Sequence, residues 1–145
     1  MNFAASFTEF VKGLDYASGT ASRDAAIIDT VQWEAVCAVL KLEALTGGVT
    51  ITFKLEESND SGMAGPTDVA GATLAIVDTD DLQLRVLDYL APTKRYVRAK
   101  VVKAVGTSAE SLIYLVYGPK IHVPQNTVAA TIATLKLLAS QGPVA

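Results

Sequence analysis

Histidine and cysteine occur only once each in 145 residues, as His122 and Cys37. This excludes an intrachain disulfide, a cysteine-rich zinc module and any catalytic pair or metal centre needing two histidines. Cationic excess is also missing: 12 Lys+Arg stand against 15 Asp+Glu, a formal charge of -3. Nucleic acid is therefore not an expected partner. No segment approaches the roughly 20 consecutive apolar residues of a membrane span. The richest run, LIYLVY at 112–117, is of strand length. The opening MNFAASFTEFVKGL is interrupted by Glu9 and Lys12, unlike a secretory leader. Neither common glycine-rich phosphate-binding pattern occurs, so nucleotide chemistry is not expected. The expected protein is therefore not an enzyme, with no cofactor, metal, membrane or small-molecule substrate.

Half the residues are hydrophobic and mean hydropathy is +0.33, in a chain the size of one domain. Residues 49–57, VTITFKLEE, alternate strictly. Val49, Ile51, Phe53 and Leu55 lie on one face and Thr50, Thr52, Lys54 and Glu56 on the other, as in a half-buried strand. Further strands are expected at 25–29, 33–43, 73–77, 82–88, 94–104 and 111–118. Turn signals separate them, including Leu45 to Gly48 and Gly106 to Ser108. Many short strands at this cadence, with no helical crossover between them, predict an all-β fold: a single antiparallel β-sandwich or jelly-roll-like domain over residues 14–120.

Both ends are apolar. Phe3, Phe7, Phe10 and Leu14 form one stripe if residues 1–13 are a helical arm. That stripe could dock on the protein's own core or on a neighbour. In the segment 121–145, Val128, Ile132, Leu135 and Leu138 have helix-like spacing, but threonines and alanines leave an extended tail open. So apolar a tail is expected to pack on its own chain or a neighbour.

Strands 33–42 and 112–117 are apolar on both faces, whereas an antiparallel strand ordinarily leaves one face to water. Either they are covered by the termini or their outer face contacts other copies. Trp33, Val39, Tyr114 and Tyr117 are the candidate oligomer contacts.

Sites of chemistry are sparse. Asp78, Asp80 and Asp81 read as a solvated turn, and Glu56, Glu57 and Asp60 as solubilising charges of the exposed loop SNDSGMAGPTD. Cys37 reads as a buried, inert thiol. His122 lies between prolines, where it could meet a neighbouring chain. The strand KRYVRAKVVK contains Lys94, Arg95, Arg98 and Lys100, whose expected role is charge pairing within the sheet or across a subunit boundary. Asp78, Asp80, Asp81 and Asp88 are the partners that sequence proximity suggests.

Taken in order, the segment DYASGTASRDAAIIDT with Asp29-Thr30, the alternating strand running into LEESNDSG, the RYVR strand at 95–98 and an apolar strand ending YGPK form a pattern. Over about residues 15–120 it resembles a group of small head structural proteins of tailed bacteriophages. The resemblance implies a virion protein of the capsid exterior that decorates and cements the shell. Such a protein sits across neighbouring major capsid protein subunits, commonly as a homotrimer. By that analogy Phe3, Phe7, Phe10, Leu14, Ile132, Leu135 and Leu138 would grip the capsid. The alternative is a tail or head-fibre component whose loop 58–72 meets a host surface glycan; that loop has no aromatic platform.

Overall fold

The computed structural model describes residues 8–120. Its elements are β1 (Thr8–Gly19), β2 (Arg23–Asp24), β3 (Ile28–Asp29), β4 (Trp33–Ser58), β5 (Thr67–Val77), a single 3-10 turn (Asp78–Asp80), β6 (Leu84–Leu90) and β7 (Tyr96–Pro119). All pairings are antiparallel. The described residues are all-β, built on one sheet of seven strands with β4 and β7 paired along its centre.

Those two strands are 26 and 24 residues long, several times the usual strand length. The expected turns at 45–48 and 106–108 do not end strands. They bend two strands that continue through them. Thr46 pairs Thr107 and Thr50 pairs Val105, so residues 47–49 of β4 lie opposite Gly106 alone. Gly106 has a φ of 82°, and a Cβ there would lie 2.8 Å from the Thr46 carbonyl oxygen and 2.9 Å from Val49 Cα. Only glycine fits.

The inward-facing set also switches along both strands. Along β4, Val36, Ala38, Leu40 and Leu42 are buried before it, and Val49, Ile51, Phe53 and Leu55 after it. In β7 the inward set switches from Val97, Ala99 and Val101 to Leu112, Tyr114 and Val116. In β4 the exchange follows Leu42, where Glu43 and Ala44 lie opposite Ala109 alone, and in β7 it comes at Ala104, one residue more than β4 has between Thr50 and Ile51; one extra residue in a strand of period two exchanges its faces. The sheet thus has two halves that share β4 and β7. One half is β1, the end of β7, the start of β4, and β6; the other is β2 and β3, the start of β7, the end of β4, and β5.

Tyr114 shows that the halves fold onto each other. Its hydroxyl accepts a hydrogen bond from Ala99 N at 2.7 Å and donates one to Ala26 O at 2.9 Å. Residues 99 and 114 of an extended strand would lie about 50 Å apart; the contact requires β7 to turn back at Gly106. The layering of a sandwich therefore arises from one folded sheet, with the core between its halves. Asp81 and Asp78 fasten the bend, accepting hydrogen bonds from Leu45 N at 2.8 Å and Val49 N at 2.6 Å. They clasp the bend from a turn that is itself exposed, as expected.

Residues 8–13 belong to β1, an edge strand on β7 from Thr8↔Tyr117 onward. The helical reading of this segment fails because its spacing also suits a bulged strand. Register shifts fall between Lys12 and Leu14 and between Leu14 and Ala17, so Leu14 stays against the core. Phe3, Phe7, Ile132, Leu135, Leu138 and His122 lie outside the described residues, as does the tail reading of 121–145.

Candidate contact surface

The outer face of the β1–β7–β4–β6 half is mostly apolar across four strands, with Lys12, Lys41 and Asp88 interspersed. Cross-strand partners share a face, so the register defines its rows. Thr8, Tyr117, Ala35 and Leu90 form one row; Phe10, Leu115, Cys37 and Asp88 the next; and Lys12, Ile113, Val39 and Val86 a third. Leu84 extends it beside Lys41. Ile113 is 46% exposed, and Val86, Leu84 and Leu90 more so. Phe10, Val39 and Leu115 are half-buried by their neighbours.

Val39 and Tyr117 lie on this face, and Trp33 packs against the core at its end. Tyr114 does not. It is 0% exposed, spent on the core contact above, because its even position in β7 points inward. It is withdrawn as an oligomer contact. Cys37 is half-buried on the outer face rather than enclosed; burial, with the Asp88 charge behind it, pushes its thiol up. Tyr117 donates to both Asp88 oxygens at 2.8 Å, and that hydrogen bond leads in raising its phenol to about 12.

The opposite half carries charge on its outer face. Arg98 donates from Nε and Nη2 to Glu56 Oε2 at 3.0 and 2.9 Å, and also meets Asp24 at 3.1 Å. Lys100 lies 3.3 Å from Asp24, and Lys54 bridges Glu56 at 3.2 Å and Asp68 at 2.6 Å. Arg95 grips Asp29 with Nε and Nη2 at 2.9 and 2.8 Å, and this holds the Asp29 carboxyl below its usual range. The expected pairing within the sheet is present, but with Asp24, Asp29, Glu56 and Asp68. Asp78 and Asp81 clasp the bend, Asp80 pairs Arg85, and Asp88 serves Tyr117. Sequence proximity misassigned these partners because the central strands pair residues far apart in the chain.

Glu56 and Glu57 are not loop charges either; both are buried at the end of β4. Glu57 accepts from Tyr89 Oη at 2.8 Å, Thr93 Oγ1 at 2.5 Å, and the Thr93 and Lys94 amides at 3.2 Å each. Burial pushes this carboxyl up, yet the hydrogen bonds together outweigh it and hold the group below its ordinary value. Asp60 orders the loop by accepting from Gly62 N and Ala64 N at 2.8 and 3.2 Å.

A buried cluster escaped sequence reasoning. Lys103 and Glu110, with side chains 1% and 0% exposed, pair at 3.0 Å. Arg23 meets the same carboxylate at 3.0 Å, and Ser108 donates to it at 2.6 Å. The signal was there: Lys103 continues the inward phase of Val97, Ala99 and Val101, and Glu110 that of Leu112, Tyr114 and Val116. Among the described residues, no group of three or more His, Cys, Asp or Glu side chains could hold a metal ion.

No protein-family model and no curated protein matches the chain. Solved structures that resemble part of its shape include the following two. The SPBc2 prophage-derived protein YomS is 10% identical with a TM-score of 0.46, over 77% of this chain and 95% of that one. A chain from the Bacillus endospore appendages, described as a novel family of disulfide-linked pili, is 17% identical with a TM-score of 0.43, over 79% and 92%. Both similarities are partial and low in identity.

Proposed function

We propose that this protein is a non-enzymatic structural component of a virion, one that decorates and stabilises a tailed-phage capsid from outside by binding across neighbouring major capsid protein subunits. It does so as a self-associated unit, a homotrimer. The observation that carries this reading is the apolar outer face of the β1–β7–β4–β6 half. Four strands present Phe10, Ile113, Val39, Val86, Leu84 and Leu90 side by side, and soluble monomers seldom leave so contiguous an apolar surface in water. Copies of the chain covering that face remove the cost. The bend clasped by Asp78 and Asp81 and the ion pairs of the other half supply a rigid body for such assembly. Modest contacts repeated around a symmetric unit then add to firm attachment through high effective concentration.

Antibody raised against the purified chain and applied to tailed-phage particles whose genome encodes it, seen by electron microscopy, tests the assignment. Label over the heads is expected. Label on tails or fibres would favour the host-contact alternative, and unlabelled particles would overturn both.

A further inference from the structure

The two ends of β6 are complementary and cannot meet within one molecule. At its start lies the turn Asp78–Gln83, where Asp80 pairs Arg85 and Asp78 and Asp81 each use one carboxylate oxygen on the bend. Leu82 sits at the tip, 71% exposed with a left-handed φ of 59°. An exposed leucine in that backbone conformation is unfavourable twice over on an isolated molecule: its apolar surface meets water, and its Cβ crowds the main chain.

At the other end, about 20 Å along the strand, two adjoining hollows form a cleft. One, of about 280 Å³, is lined by Thr30, Thr93, Lys94, Arg95 and Lys120. The other, of about 380 Å³, is lined by Leu90, Ala91, Pro92, Glu34 and Lys120. The walls are fixed: Thr30 Oγ1 donates to Arg95 O at 2.7 Å, Ala91 N to Glu34 O at 2.7 Å and Lys120 N to Gln32 O at 2.9 Å. Ala91, on the rim, is also left-handed, at 54°. Arg95 is neutralised by Asp29. The Lys94 ammonium donates to the Thr67 hydroxyl at 2.8 Å, and among the described residues neither the Lys94 nor the Lys120 ammonium has a carboxylate in ion-pair range. In a sheet where Arg98, Lys100 and Lys103 all have one, these two amines stand out.

We propose that this cleft receives the Asp78–Gln83 turn of a second copy, with Leu82 against Leu90 and Pro92 and the turn's aspartates beside Lys94 and Lys120. Turn and cleft are different surfaces, so the contact is heterologous, the kind that closes a ring when its rotation allows. The proposal rests on the self-association proposed above but not on the apolar face.

Two full-length variants test it by sedimentation: Leu82→Asn, which keeps a residue tolerant of the left-handed backbone, and the double variant Lys94→Glu with Lys120→Glu. Each alone should self-associate at least about tenfold more weakly than the parent. An equimolar mixture should form one-to-one pairs that neither variant forms alone, because the turn of one and the cleft of the other are intact. Undiminished association of either variant, or a mixture no better than its components, would overturn the proposal. Should the glutamate pair melt without cooperativity, Lys94→Ser with Lys120→Ser takes its place. Val86→Lys on the apolar face separates the readings. If it alone dissociates the protein, the face stands and this contact falls; if the parent is a monomer, both fall.

Discussion

Removing the Tyr114 hydroxyl while keeping its ring, Tyr114→Phe, tests whether the halves of the sheet are locked together as described. The hydroxyl is the acceptor for Ala99 N at 2.7 Å and the donor to Ala26 O at 2.9 Å. Ala99 is fully buried, so its amide loses this partner inside the core, at a cost of about 1–3 kcal/mol. Ala26 is exposed, and its carbonyl can turn to water, so it adds little. No cavity term arises because the ring remains. For a chain of this length each kcal/mol moves the melting temperature by about 3–5 °C, so thermal unfolding followed by circular dichroism should shift down by about 3–15 °C. Hydrogen exchange at the Ala99 amide should accelerate in parallel. A melting temperature within about 1 °C of the parent, with Ala99 still protected, would refute the folding of β7 back upon itself.

Gly106→Ala combines a left-handed backbone at 82° with a Cβ 2.8 Å from the Thr46 carbonyl oxygen. It should cost at least about 3 kcal/mol, read as a lower urea midpoint; an unchanged midpoint would remove the bend's need for glycine. Glu57 has a folded pKa below its ordinary value of 4.5. Its stabilisation is therefore complete above pH 4.5 and is lost as pH falls through the lower folded value. Glu57→Gln should lower stability at pH 7 and flatten the acid limb of stability against pH; an acid limb as steep as the parent's would contradict this.

The all-β class and the inward phases were legible in the alternation of 49–57 and 94–104, because burial on one face imposes period two on side chains. The length of the central strands was not. Glycines at 47, 48 and 106 read as chain reversals, yet here they relieve a bulge within strands that continue, and local sequence does not distinguish the two. Residues 8–13 were misread for a related reason: bulges in β1 give its apolar residues spacings that mimic a helix. In the contact surface, the two-faced character of strands 33–42 and 112–117 pointed to the apolar outer face before any coordinates. Tyr114 was misassigned because strand composition alone does not say which of two apolar faces is the core. The ion pairs were misassigned because partners such as Glu56 and Arg98 are brought together by the pairing of β4 with β7, far apart in sequence.

The central claim is that copies of this chain cover the apolar face of the β1–β7–β4–β6 half. The mass of the full-length protein in solution, by light scattering across a range of concentrations, tests it most directly. A whole-number multiple of 15.2 kDa, three for the proposed trimer, falling toward one copy in Val86→Lys, is the predicted result. A parent protein that stays at the mass of one copy at every concentration would contradict it.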